Sequence, residues 1–355
     1  MGRDNDSSNY HLDELWQGNG PRELRIEITH DCPLRCRHCS TCSEKGDSMH
    51  LPPHVILAAV KEFKAMGGEK IILTGGEPVV HPELIKILKL INEIGMRPKL
   101  FSSGITHEDG GYRPTSQLEV MRLKPLVSGV VLSLYSDSPV RHERITQTQN
   151  SFSMCIDAIR TYIKCGIPTD VHFVPMRSNY EDLLDVAYLA NSLGVHKIHV
   201  LRFIPHGRGE EYAIELLPSA ENFLDFGRKV EMTRKMFPGF LDIGASFQGI
   251  LPGINKRCSA VTDKLVITAD GFVFPCDGFK NLMEHDDDWN INKKPLREIY
   301  LHSPMLKCLR AAKKYDIANQ SISKMSGNCS SCMAQRAVRG SPFYHTRVQV
   351  PTRLV

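Results

Sequence analysis

Between residues 23 and 204 short β-branched runs alternate with amphipathic stretches, and this alternation restricts the fold more than any other feature. The runs are ELRIEIT (23–29), KIILTGG (70–76), RPKLFSSG (97–104), GVVLSLYS (129–136), TDVHFVPM (169–176) and KIHVLRFI (197–204). Between them lie PPHVILAAVKEFKAMG and HPELIKILKLINEIG, which open on proline and stop on Gly67 and Gly95. Proline suits the first helical turn, and glycine tolerates the left-handed residue that ends a helix. SFSMCIDAIRTYIKCG and YEDLLDVAYLANSLG also end on glycine. Six β–α repeats call for a parallel sheet with right-handed crossovers. No seventh or eighth strand is evident, so the expectation is a partial, TIM-like (β/α)6 barrel rather than a closed one. The connection 105–126 reads mostly as loop, with a weak helix near SQLEVMRL.

After residue 205 the pattern changes. A helix is expected near 218–236, followed by KLVITADGFVFPCD, where Asp270-Gly271 between two β runs signals a hairpin. The expected organisation is a polar tail (1–22), the barrel (23–215), and a linker helix with a small C-terminal domain (216–355). At 355 residues the chain has room for two such units. A net charge of +4 with scattered basic residues gives no support to nucleic-acid binding. No apolar run reaches the roughly 18 residues of a membrane span, and the N-terminus has no signal-peptide core. A cytoplasmic setting is expected.

Eleven cysteines are many for a chain held in a reducing compartment, and an odd number argues against a disulfide framework. Three of them, Cys32, Cys36 and Cys39, fall in ITHDCPLRCRHCS, just beyond the first strand. That is the C-terminal mouth, where β/α enzymes keep their chemistry. Three thiolates can hold three irons of a cubane and leave the fourth open. Alternatively, Cys42 or His38 would complete a zinc tetrahedron. Spacing alone leaves both readings standing.

The next strand ends in LTGGEP, and with it the chain resembles the radical S-adenosylmethionine (SAM) superfamily. CPLRCRHC matches that family's C-x3-C-x2-C signature, and Gly75-Gly76-Glu77-Pro78 its SAM amino-group motif. The resemblance implies a [4Fe–4S] cluster on Cys32, Cys36 and Cys39 with an open iron that SAM chelates. Reductive cleavage then gives a 5′-deoxyadenosyl radical that abstracts hydrogen from a substrate C–H bond. It further implies that Gly75 and Gly76 admit the methionyl end and that Glu77 offsets its ammonium. His38 would face the adenine, and Ser103 and Ser133 the nucleoside or methionyl carboxylate. LSLYSDSPVRHERITQTQNSF resembles a further family stretch in Ser133, His142 and Ser151-Phe152, but Tyr135, Thr146 and Asn150 depart from it. RFIPHGRG resembles a segment that precedes the C-terminal domain in relatives; a flexible connector is the plainer reading.

Cys258, Gly271, Cys276 and the pair Cys329 and Cys332 resemble the auxiliary-cluster domains called SPASM and twitch. Val338 stands where the fuller pattern has another cysteine, so the shorter type with one auxiliary cluster, of [4Fe–4S] kind, is expected. A structural zinc on the same four thiols is the alternative. Cys155, Cys165 and Cys308 read as helix packing, and EHDDDW (284–289) as a solvated loop. Asp277 occupies the place of a substrate base in anaerobic sulfatase-maturing enzymes, although Asp before Gly is also an ordinary turn.

Three functions follow. The first is modification of a ribosomally made peptide by cross-linking, epimerisation or oxidation, with HERITQTQNSF resembling maturases. Since about 22 residues precede the first strand, a separate leader-peptide-binding protein would serve recognition. The second is oxidation of a small molecule such as an aminocyclitol or sugar alcohol. The third, from another class, is a metal-stabilised binding protein without catalysis. Either enzyme would draw electrons from a flavodoxin or ferredoxin-type donor.

Overall fold

A computed structural model describes residues 20–280 and 287–311. Its centre is a nine-stranded sheet. The strands are β1 (Glu23–Thr29), β2 (Lys70–Gly75), β3 (Lys99–Ser102), the small separate hairpin β4 (Ile105–Glu108) and β5 (Gly111–Pro114), β6 (Gly129–Ser133), β7 (Thr169–Phe173), β8 (Ile198–Val200), β9 (Leu241–Ile243), β10 (Lys264–Ile267) and β11 (Val273–Phe274). The order is β11-β10-β1-β2-β3-β6-β7-β8-β9, parallel throughout except β10–β11. Around it run α1 (Pro53–Ala65), α2 (Leu84–Glu93), α3 (Gln117–Leu123), α4 (Pro139–Thr146), α5 (Ser151–Lys164), α6 (Leu183–Leu193), the short α7 (Arg208–Glu211) and α8 (Ala213–Leu216), α9 (Ala220–Met236) and α10 (Leu296–His302).

The six expected barrel strands are present, and the sheet goes further. β9 extends it beyond β8, and the Asp270-Gly271 hairpin lays β10 parallel against β1, Leu24 opposite Leu265. Both strands that follow the linker helix, β9 and β10, are therefore part of the barrel sheet, and β10 lies beside the chain's first strand. In segment 105–126, α3 forms where the weak helix is expected, while the part expected as loop forms the β4–β5 hairpin. An Asp109-Gly110 turn and the Ser116–Glu119 capping box are the local causes.

Strand alternation decides which face is core. In β1, Leu24, Ile26 and Ile28 are wholly buried with Ile56, Val60 and Phe63 of α1. Arg25 and Glu27 point the other way, into the lumen, as Phe101 of β3 and His172 of β7 do. A TIM-type lumen is ordinarily filled by branched apolar side chains. Here charged and aromatic side chains line it, and a cavity of about 410 Å³ remains.

Cysteine placement follows from the helices. Cys155 and Cys165 are buried, as expected. Cys308 is exposed, which corrects its reading as packing: Met305 and Leu306 take the inward positions of segment 304–311.

Candidate active site

The Cys32–Cys39 loop leaves β1 at the C-terminal mouth and crosses the lumen. Three other segments hold its backbone. From the end of α4, the Ile145 and Thr146 carbonyls accept from Arg37 N and Arg35 N at 2.9 and 3.1 Å. From the turn after β2, Gly76 N donates to Thr29 O at 2.7 Å and Glu77 N to Asp31 O at 2.8 Å. From α7, the buried Arg208 donates to the Cys36 carbonyl at 3.0 Å and the Ser43 carbonyl at 2.8 Å. RFIPHGRG is thus a clamp on the cysteine loop rather than a loose connector.

Close packing here explains the glycine pair. A Cβ on Gly75 would lie 2.3 Å from the Thr29 carbonyl, and one on Gly76 2.3 Å from that of Asp31. Gly75 also has φ +130, outside the range side chains favour. Both residues line the cavity. Glu77 is wholly buried, and its carboxylate accepts from Ser102 Oγ (2.6 Å), Ser103 N (2.5 Å), Ser103 Oγ (2.6 Å) and Val79 N (3.2 Å). Burial nevertheless holds its carboxyl above the ordinary value. Glu77 braces the ends of β2 and β3 against each other, and Ser103 is its partner at the cavity wall. Ser133, at the end of β6, lines the same cavity and accepts a Cys155 thiol on its carbonyl at 3.2 Å.

Cys32, Cys36 and Cys39 all face this cavity as free thiols. Burial pushes the Cys32 and Cys36 thiols up, and the neighbouring cysteines push them further. Sulfurs that repel one another as thiolates favour a cationic centre among them, so the donor set fits a metal cluster. Among the described residues no three His, Cys, Asp or Glu side chains converge on a single-ion site. His38 packs edge-on to Tyr135 at 4.5 Å, and burial followed by the Arg208 charge lowers its imidazole to about 4. His38 is thus a neutral ring on the cavity wall.

Cys258 and Cys276 line the same cavity, packed with Ala260, Phe274 and Phe279. Burial, then Asp277, pushes the Cys276 thiol up to about 12. The C-terminal hairpin and the N-terminal loop thus bring both cysteine groups to one space. Cys329 and Cys332, and residues 284–286 of the acidic loop, lie outside the described residues.

Asp277 reaches the cavity as well. Burial opposes its ionisation, but Lys280, Arg25 and Lys264 outweigh it and hold the carboxyl well below the usual range. Its oxygens lie 3.2 Å from Arg25 and 3.3 Å from Lys280. An ionised Asp277 can accept a proton, yet those cations make it a weak base. Lys280 also pairs with Glu27, and His206 Nε2 donates to the Gly278 carbonyl at 2.9 Å. The 276–280 loop is therefore tied onto the barrel mouth at three points.

Arg25, Glu27, His172, Arg208 and Lys280 escaped the reading of the sequence. For the first two a signal existed: ELRIEIT alternates charge with apolar residues, which marks one face as polar. The others are assembled by residues distant in the chain.

Two family models match the chain. The radical SAM superfamily model covers residues 26–190, and an iron–sulfur cluster-binding domain model, SPASM, covers 258–333. Among curated relatives, a probable GTP 3′,8-cyclase of Saccharolobus islandicus is 27% identical over 266 residues, 73% of this chain and 83% of that one. The PqqA peptide cyclase of Ruegeria pomeroyi is 27% identical over 327 residues, 91% of this chain and 85% of that one. Of solved structures, Streptococcus suis SuiB bound to S-adenosylmethionine aligns with a TM-score of 0.68 at 16% identity, covering 84% of this chain and 71% of that one. An anSMEcpe structure with AdoMet and a peptide aligns at 0.57 and 15% identity, covering 79% and 80%.

Proposed function

Because the chain belongs to the radical SAM superfamily and has a C-terminal SPASM domain, we propose that it modifies a ribosomally made peptide within the shared cavity. The two domains mean that the protein works with [4Fe–4S] chemistry and S-adenosylmethionine. The observation that carries the reading is that Cys32, Cys36, Cys39, Cys258 and Cys276 border one 410 Å³ space. In that space, SAM cleaved at the N-terminal cluster would supply a 5′-deoxyadenosyl radical, and a second cluster would take up an electron.

The chain's own residues set the rest. Cys32, Cys36 and Cys39 would hold the first cluster, and Arg208, Thr146 and Gly76 fix their loop. Gly75 and Gly76 leave room for the methionyl end, with Ser103, Ser133 and His38 around the nucleoside. Cys258 and Cys276, with Cys329 and Cys332, would hold the second cluster. The tied 276–280 loop and the aromatic side chains of Phe101, Tyr135 and His172 line the space, where a bound substrate would displace water. Asp277 would accept the proton released as a substrate bond is oxidised. Free thiols and open-iron chemistry suit the reducing cytoplasm.

Similarity to the PqqA peptide cyclase over 91% of the chain favours a peptide over a small molecule. A flavodoxin or ferredoxin-type donor and a leader-binding partner belong to this reading. The test is anaerobic incubation of reconstituted enzyme with SAM, dithionite and candidate peptides carrying deuterium at the reacting carbons. Deuterium should enter 5′-deoxyadenosine, and Cys36→Ala should make none. Unchanged 5′-deoxyadenosine formation in that variant would overturn the assignment.

A further inference from the structure

Glu27 is 2% exposed, lines the cavity, and uses only half of its carboxylate. Oε1 pairs with Lys280, while Oε2 is buried without a hydrogen-bond partner among the described residues. Leaving such an acceptor unmet is costly, so it marks a place where a ligand is rewarded for donating. We propose that Glu27 Oε2 is a substrate subsite that accepts a hydrogen bond from a neutral N–H or O–H group.

Charge selects a neutral donor. Arg25, Lys264 and Lys280 stand against Glu23, Glu27 and Asp277 in one network, with contacts of 2.9 to 3.4 Å at Arg25–Glu23, Arg25–Asp277, Lys264–Glu23 and Lys280–Asp277. Among these six side chains three cations face three anions. An incoming ammonium would add an unmatched charge beside Lys280 in a desolvated space. An amide N–H or a hydroxyl satisfies Oε2 without that cost. Position supports the role: Glu27 pairs in register with Thr74, one residue before Gly75, and lines the cavity that both cysteine groups line. A group held there lies inside the space the proposed chemistry uses, and for a peptide the donor is its amide N–H. This inference rests on the peptide reading only for that last step.

Glu27→Gln separates recognition from bulk. The Lys280 ammonium can only donate, so the amide carbonyl must turn to Lys280 and its NH2 must face the cavity. An acceptor becomes a donor with almost no change in shape. Reconstituted holoenzyme with SAM is crystallised anaerobically with acetylglycine N-methylamide or with myo-inositol, and dissociation constants are measured by calorimetry. The expected result is an N–H or O–H of at least one probe within about 3.2 Å of Oε2, and binding at least tenfold weaker in Glu27→Gln. Contact by the amide supports the subsite and the peptide reading together. Contact by inositol alone supports the subsite and counts against the peptide. Should neither probe reach Oε2, or an ordered water or Lys280 keep it with a probe bound, the subsite is overturned. The peptide reading would then still stand or fall on deuterium transfer, and the wild-type crystals decide even if the variant does not fold.

Discussion

At the scale of single residues, Arg208 shows how a site can depend on a side chain far from it in sequence. Its guanidinium is buried and spends two donors on the Cys36 and Ser43 carbonyls. Removing it leaves both carbonyls unmet and a cavity behind them, at a cost of about 1–3 kcal/mol. Arg208→Ala should therefore lose its N-terminal cluster to a chelator several-fold faster than wild type, followed by the decay of iron–sulfur absorbance. Arg208→Lys should recover only part of the difference, because one ammonium lacks the forked geometry. The cysteine triplet and GGEP were legible in the sequence because each is a contiguous motif with a steric or ligating rationale. Arg208 was present in RFIPHGRG, but nothing local says which carbonyls a guanidinium will find.

Among the elements, the seam β7–β8–β9 carries charge across the bottom of the lumen. His199 on β8 sits between Asp170 on β7 (3.0 Å) and Asp242 near β9's centre (2.9 Å), and both ring nitrogens face carboxylates. Burial works against the imidazolium, but the two carboxylates raise its value overall. A raised histidine contributes stability that is complete below its unfolded value, near 6.5, and lost as pH rises through the folded one. Asp170 works in the other sense. Although burial opposes ionisation, His199 and Lys99 lower it to about 2, so its contribution holds above about pH 4 and fades as pH falls toward 2. The urea midpoint of the anaerobic holoprotein should fall between pH 6 and pH 9, and His199→Gln should flatten that slope while lowering the midpoint at pH 6. Strand positions were legible here, since β-branched runs and glycine stops are local. β9 was missed because three residues, Leu241–Ile243, are too few to show a period.

Over the whole molecule, two cysteine groups more than two hundred residues apart reach one cavity because β10 lies beside β1. The sequence announced a hairpin at Asp270-Gly271 but held no sign of the edge it would join, since pairing across that distance has no local signature. If both groups hold cubanes, reconstituted protein should carry about eight irons per chain. Cys276→Ala should keep about four, with an EPR signal that still shifts on adding SAM. An unchanged iron content would show that Cys276 is no ligand.

Because β10 is made some 240 residues after β1, the first strand's outer edge waits without a neighbour through most of synthesis. Residues 23–267 must all be made before that edge is covered. Truncated chains that stop short of residue 264 should expose that edge and aggregate more readily than the full chain, as light scattering would show.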